Sequence, residues 1–322
     1  MTHTITLIKG DGIGQEVIPA AAQVLESLNL PFIFQYADAG FGTFEQTGSA
    51  LPDATLRLCE ASDAILFGAT QSPMEKVHGY SSPILALRRH FDLYGNLRPA
   101  QQGDTEMLIV RENTEGLYSR RESRSVDGNT AIAERVITRN ASERIVRLAC
   151  KQAMQRRSKL TIVHKANVLK ETCGLFREAA FDVVRDYPDL EVDEMLVDAC
   201  AMRLVMQAQQ FDVLVTTNLF GDILSDLAAG LTGGLGVAPS ANVGRGVPVF
   251  EPVHGSAPDI AGQGIADPRA AILSAALLLN YLGYTEVTSA LQYVTYQTQH
   301  TGTTQGTTEA IIAQMGESVL QN

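Results

Sequence analysis

The stretch Phe211-Asp212-Val213-Leu214-Val215-Thr216-Thr217-Asn218-Leu219-Phe220-Gly221-Asp222-Ile223-Leu224-Ser225-Asp226-Leu227-Ala228-Ala229-Gly230 changes character half-way along. Val213–Thr217 is a short β-rich apolar run bounded by polar residues, the pattern of a buried strand. Asn218–Gly221 reads as a loop, and Ile223, Leu224, Leu227 and Ala228 then recur on one side of a helix. Asp222 and Asp226 are four apart, so a helix sets both carboxylates on one face. Two acids so close repel each other unless a cation sits between them. Hard oxygen donors at a strand-to-helix junction suit Mg²⁺ or Mn²⁺. The plainer alternative is an acidic pair complementing the helix dipole.

Working outward, strand and helix patterns alternate along most of the chain. Strands are expected at Thr4–Ile8, Pro31–Tyr36, Ala64–Gly68, Met107–Arg111 and Leu160–His164, with helices between them. That alternation predicts an α/β protein built on parallel sheets with helical cover. After the first strand comes Lys9-Gly10-Asp11-Gly12-Ile13-Gly14, which invites a dinucleotide-binding reading. The G-x-G-x-x-G spacing fails, because Gln15 stands where the third glycine belongs. We read the segment as a tight turn. The glycine-rich stretch Gly230–Gly246 is expected to cross between domains, and Phe250–Gly262 to form a long irregular loop.

Composition narrows the function classes. The net charge of −11 disfavours a nucleic-acid or anionic-membrane surface. An anionic substrate would need locally clustered arginines, and Arg88, Arg98 and Arg111 lie on three successive elements. Guanidinium groups bind carboxylates bidentately, so their convergence would hold a di- or tricarboxylate, whereas each alone reads as a solvated surface residue. Tyr118 is a candidate proton donor, or else a core tyrosine. Lys165 at a strand end is a candidate acid or base. His164 and His254 lack metal-type spacing. Cys59, Cys150, Cys173 and Cys200 are scattered, as expected of small buried residues in a reducing compartment. With no signal-like segment and no membrane-length apolar run, a cytoplasmic location is expected.

From Lys9–Gly14 through Asn218–Asp226 and Glu251–Gly262 to Asp267-Pro268, the chain resembles the β-decarboxylating dehydrogenases of isocitrate, 3-isopropylmalate and homoisocitrate. The resemblance implies two α/β domains of a non-Rossmann type, a large cofactor-side domain of residues 1–97 plus 243–322 and a small domain of residues 98–242 carrying a dimer interface. It implies a homodimer, or a pair of dimers, whose sites borrow residues from the partner. Arg88, Arg98 and Arg111 would clamp the malate part of the substrate. Asp222 and Asp226, with Asp198 from the other subunit, would hold Mg²⁺ or Mn²⁺. Lys165, also from that subunit, would move a proton during oxidation, and Tyr118 would protonate the enol after carbon dioxide leaves. Ser72, Leu85 and Asn167 would complete the substrate pocket. Thr70, Asn167, His254, Gly255, Ser256, Ala257, Asp259, Ile260 and Asp267 would line the cofactor.

Asp259-Ile260 stands where NADP-using relatives carry a lysine and a tyrosine. An aspartate accepts from a ribose 2′-hydroxyl and repels a phosphate, so NAD is expected. Asp267 departs from the family's usual asparagine against the adenine, and the tail lacks the usual Asp-Leu-Gly-Gly segment. The segment 76–89 is most similar to that of homoisocitrate dehydrogenases. A longer carboxylate arm would pass Ile84 and Leu85 to reach Lys76 or the hydroxyls of Ser72, Tyr80, Ser81 or Ser82. The expected order is therefore homoisocitrate, then 3-isopropylmalate, then isocitrate. A non-catalytic metal-binding protein on the same fold is the remote alternative.

Overall fold

The computed structural model describes residues 2–75 and 77–320. In chain order the first segment carries β1 (His3–Ile8), α1 (Gly14–Ser27), β2 (Phe32–Ala37), α2 (Phe41–Thr47), α3 (Asp53–Glu60), β3 (Ala64–Phe67) and α4 (Pro83–His90). The middle carries β4 (Gly95–Gln102), β5 (Thr105–Glu112), β6 (Glu122–Arg124), β7 (Ala131–Ala133), α5 (Arg139–Met154), β8 (Lys159–His164), α6 (Thr172–Val184), β9 (Glu191–Leu196), α7 (Val197–Gln207), β10 (Val213–Thr216) and α8 (Asn218–Leu231). The last segment carries β11 (Pro239–Val243), β12 (Val249–Pro252), α9 (Arg269–Tyr281), α10 (Thr285–Gln297) and α11 (Thr304–Leu320). The chain falls into two compact units, Met1–Phe91 with Gly233–Asn322, and Asp92–Thr232.

In the unit built from both chain ends, the strands run in the order β2-β1-β3-β12-β11. β1 pairs parallel with β2 and β3, β3 pairs parallel with β12, and β12 turns back antiparallel on β11. Every residue of β3 is buried, which is why its sequence is a continuous apolar run and not an alternation. α9 is rich in alanine and buries residues on nearly all sides, which lets it pack against β11, β12, α1 and α10 at once. Two glycines make the turn before α1. A Cβ on Gly10 would lie 2.2 Å from the Ala69 carbonyl oxygen, and one on Gly12 would lie 2.0 Å from that of Ser256. The glycines therefore admit the protein's own backbone.

The middle unit orders its strands β4-β5-β10-β8-β9, all parallel except the β4–β5 pair. Period-two alternation gives each face its own core. Leu108 and Val110 of β5 meet Ile145, Val146 and Ala149 of α5 and Phe176 of α6, while Met107 and Ile109 meet Cys200 and Leu204 of α7 and Leu224 of α8. Each fully buried Leu, Ile or Phe contributes about 1.5–3 kcal/mol. β6 and β7 form a separate, fully exposed antiparallel ribbon.

Three expectations need correction. The sheets are mixed, because β4 and β11 each run antiparallel to the next strand. No loop separates β10 from its helix: α8 starts at Asn218. Asn218 and Gly221 look like turn residues but serve contact instead. Asn218 turns its side-chain oxygen onto Arg111, and a Cβ on Gly221 would lie 2.6 Å from Arg111 Cγ. The start of the supposed loop 250–262 is strand β12.

Candidate active site

In the middle unit, β4, β5 and the start of α8 bring a cluster of opposite charges together. Arg111, at the end of β5, is only 2% exposed. Its Nε and Nη2 donate to Asn218 Oδ1 at 3.1 and 2.7 Å, and its Nη1 donates to the Asp222 carboxylate. Arg98 on β4 donates from Nη1 to Ser225 Oγ at 2.7 Å and to Asp226 Oδ1 at 3.2 Å, and lies 3.4 Å from Asp222 Oδ1. Its Nε is aimed by Asn96 Oδ1 at 2.6 Å. The Tyr118 hydroxyl donates to the other oxygen of Asp222, and its ring lies under the Arg111 guanidinium at 5.0 Å.

Four of the residues singled out from sequence thus meet a fifth: Arg98, Arg111, Asp222 and Asp226 with Tyr118. Asn96, Asn218 and Ser225, which aim the arginines, were missed. Their one sequence signal was polar residues on otherwise apolar elements, and all three are buried.

Burial pushes the Tyr118 hydroxyl above its ordinary range, and its bond to Asp222 adds to this. Burial also raises the Asp226 carboxyl; Asp222 adds to the rise while Arg98 pulls it down. Two carboxylates on successive turns of α8, one of them raised by desolvation and its neighbour, form a hard-oxygen donor set suited to a divalent cation. Among the described residues of one chain, no three His, Cys, Asp or Glu side chains come together as a metal cage. Asp198 lies apart, at the start of α7, and accepts from Lys165 Nζ at 2.6 Å. That bond from Lys165 holds its carboxyl below the ordinary range.

Lys165 follows directly on a fixed histidine. His164 Nδ1 accepts from the Ala166 N–H at 3.1 Å and its Nε2 meets Glu194 at 3.0 Å, while Arg177 Nη2 donates to Glu194 at 2.7 Å. Since Nδ1 accepts, the ring proton sits on Nε2 and is donated to Glu194. Sequence reading dismissed His164 as a ligand and missed this chain of contacts. Asn167, two residues past Lys165, is exposed.

In the other unit, Arg88 lies in the last turn of α4. Its Nη2 donates to Glu251 Oε1 at 3.0 Å, which also accepts from Asn242 Nδ2 at 2.8 Å. Arg88 Nε is buried and has no partner. Ile84 and Leu85 are half-buried on the same helix, and Ser72 and Ser81 are exposed. The Tyr80 hydroxyl donates its proton to Gln71 O at 2.7 Å, so it is engaged within the loop. Lys76 lies outside the described residues.

Thr70 is half-buried three residues past the end of β3, and His254–Ile260 follows β12. Gly255, Pro258 and Asp259 are exposed, Ser256 is buried, and Ala257 takes a left-handed φ of 38°. Burial lowers the His254 pKa, and its Nε2 is buried without a partner. Asp267 is paired within the chain. Its carboxylate accepts from the Arg269 backbone N–H at 3.0 Å and from Arg269 Nη2 at 2.7 Å, which satisfies the first amide of α9.

A model of the isocitrate/isopropylmalate dehydrogenase family matches residues 4–319. The chain belongs to that family. It is 54% identical over 300 residues to an isocitrate/homoisocitrate dehydrogenase of Thermus thermophilus, covering 91% of this chain and 89% of the relative. It is 51% identical over 291 residues to a 3-isopropylmalate dehydrogenase of Archaeoglobus fulgidus, covering 88% and 87%. The crystal structure of isocitrate dehydrogenase from Methylococcus capsulatus superposes with a TM-score of 0.91 at 43% identity, over 98% of this chain and 99% of that one. The chain is therefore a decarboxylating dehydrogenase with that family's two-domain α/β fold, and its reaction class is NAD-dependent oxidative decarboxylation of a small hydroxy acid. Among the described residues, no helix is long and apolar enough to cross a membrane.

Proposed function

We propose that the chain converts homoisocitrate to 2-oxoadipate and carbon dioxide, using NAD and Mg²⁺ or Mn²⁺, as a homodimer with shared sites. The observation that carries the reading is the Asp222–Asp226 pair set against Arg98, Arg111 and Tyr118. Asp222 and Asp226 hold the cation, with Asp198 of the partner subunit as the third carboxylate. When bound, NAD accepts the hydride from C2, and the divalent ion polarises the C2 oxygen so that the neighbouring C–C bond can break.

The chain's own side chains do the rest. Arg98 and Arg111 neutralise the acids while the site lacks substrate, then turn to the substrate's carboxylates. Arg88, with a buried guanidinium N–H left over, is suited to the same task. The partner subunit's Lys165 takes the proton of the C2 hydroxyl, and Tyr118 delivers a proton to C3 after decarboxylation. NAD is preferred because the exposed Asp259 carboxylate repels a 2′-phosphate. His254, Gly255, Ser256, Ala257, Ile260, Thr70, Asn167 and Asp267 line the cofactor.

The homodimer is supported by an apolar face in the middle unit. Met202, Val205 and Met206 of α7, and Ile223 of the adjoining α8, are each more than half exposed.

Homoisocitrate is placed first because segment 76–89 is most similar to homoisocitrate enzymes, and because Ser72 and Ser81 are exposed, with hydroxyls open to a longer carboxylate arm. 3-Isopropylmalate is the second reading, favoured by that same half-buried apolar pair. The mechanism is tested by following NAD reduction and carbon dioxide release with homoisocitrate and Mn²⁺, before and after chelation. Activity abolished by chelator and restored by metal is expected. Full turnover in excess chelator contradicts the assignment of Asp222 and Asp226.

A further inference from the structure

The turn at Gly10–Glu16 holds two loops of the same unit by separate side chains. On one side, Asp11 Oδ2 accepts from the backbone N–H groups of Phe41 and Gln71 at 2.7 and 2.8 Å, and its Oδ1 accepts from Gly42 N–H at 2.9 Å. Its charge thus satisfies the first amides of α2 and the amide that opens the loop leading to Ser72. Phe41 and Phe44 of α2 then meet the Tyr80 ring edge-on, with centroids 5.3 and 5.4 Å away, and the Tyr80 hydroxyl closes back on Gln71 O. Helix α2 and both ends of segment 71–80 are therefore tied to one carboxylate.

On the other side, Glu16 Oε1 accepts from Gly262 N–H at 2.7 Å and its Oε2 from Thr304 Oγ1 at 3.3 Å. Ile13 N–H donates to Ser256 O at 2.9 Å, and Thr304 N–H to Gly264 O at 2.8 Å. Segment 256–264 is therefore tied to the start of α1 at Gly262 by a different carboxylate, that of Glu16, and at Ser256 by the Ile13 amide, while Thr304, itself bonded to Glu16, holds Gly264. Neither acid belongs to the cluster around Asp222.

We propose that Asp11 and Glu16 are positioning residues with separable tasks, Asp11 setting the loop that reads the substrate's C3 substituent and Glu16 setting the loop that holds NAD. The assignment rests on the roles proposed above for Ser72–Leu85 and His254–Ile260. A merely structural role would lower thermal stability and disturb both ligands alike. Separate positioning predicts a split.

Asp11→Asn keeps the size but places an amide N–H₂ against a backbone N–H. It should raise the apparent KM for the hydroxy acid by about tenfold, the loss of a hydrogen bond to a charged acceptor, while moving the KM for NAD by less than about twofold. Glu16→Gln should do the reverse. Backbone amide exchange supplies a readout independent of turnover: Phe41, Gly42 and Gln71 should lose protection in Asp11→Asn, and Gly262 in Glu16→Gln. Both KM values rising together in either variant would overturn the proposal, as would unchanged amide protection at those positions. A wild-type protein that turns over no 3-substituted malate contradicts the proposed reaction instead, and amide exchange in the two variants then decides the loop contacts by itself. If another malate proves the better substrate, the same split is measured with it.

Discussion

Gly221→Ala inserts one methyl group where α8 crosses Arg111. In an ordinary helix interior the exchange is favourable by about 1 kcal/mol, because alanine loses less backbone entropy. At this position the new Cβ would lie 2.6 Å from Arg111 Cγ, 2.7 Å from its Cβ and 3.3 Å from its Cα. Those atoms lie at the root of the side chain, beside the backbone of β5, and cannot swing aside. Overpacking of that kind costs about 1–3 kcal/mol, and moving Arg111 also loosens its bonds to Asn218 and Asp222. The net expectation is a loss of about 1–2 kcal/mol of unfolding free energy, and separately a fall in kcat/KM because Arg111 is displaced from Asn218 and Asp222.

Gly230→Ala on the same helix is the control. Nothing lies within 4 Å of its Cβ position, so it should gain up to about 1 kcal/mol. Thermal or urea unfolding of the two variants, with steady-state rates, reads opposite signs. A Gly221→Ala protein as stable and active as Gly230→Ala would refute the close-approach argument.

Other expectations follow from the same geometry. Hydrogen bonding from Arg177 and then His164 holds the Glu194 carboxyl at about 2, against an ordinary 4.5. Its contribution is therefore complete above pH 4.5 and disappears as the pH falls toward 2. With the Glu194 side chain 35% exposed, that contribution is about 1 kcal/mol after solvent screening, and Glu194→Gln should flatten the acid limb of an unfolding-free-energy-against-pH curve by that amount. Replacing Asp259 and Ile260 by Lys and Tyr should narrow the preference for NAD over NADP by tenfold or more, since it removes a repulsion and adds a cation; an unchanged cofactor ratio would count against Asp259. Lys165→Ala and Asp222→Asn homodimers should each be nearly inactive, and subunit exchange should rebuild one intact site per mixed dimer. Exchange without recovered activity would mean that the site is not shared.

The sequence carried the fold class through long-range periodicity, which needs no knowledge of neighbours. The buried strands β3 and β10, and the continuous apolar run Met107–Val110 of β5, are readable because burial itself selects those residues. β4 was not legible as a strand: Asn96-Leu97-Arg98-Pro99 has a proline and two polar side chains, and what makes it a strand is its antiparallel partner β5. α2 was missed because Phe41–Thr47 is short, follows glycine, and is satisfied at its start by Asp11, thirty residues earlier. The same reason hid the task of the first glycine turn: its carboxylates bond to backbone amides, which leave no trace in side-chain pattern. Residue type and spacing marked the acidic pair and the arginines but left each with a plain surface alternative; only the family resemblance joined them into one site. Asn218 and Gly221 were misread because turn-forming residues and close-approach residues have the same names. Asp267, a departure from the family's asparagine, gains a local explanation in Arg269 two residues on.

The substrate order remains the most direct test. It is read as kcat/KM for NAD reduction with homoisocitrate, 3-isopropylmalate and isocitrate, each with saturating Mn²⁺. The account predicts homoisocitrate highest and isocitrate lowest, because the shorter arm leaves its carboxylate against Ile84 and Leu85 without a partner, a penalty of about 1–3 kcal/mol or roughly ten- to a hundredfold. Isocitrate turned over faster than homoisocitrate would contradict it.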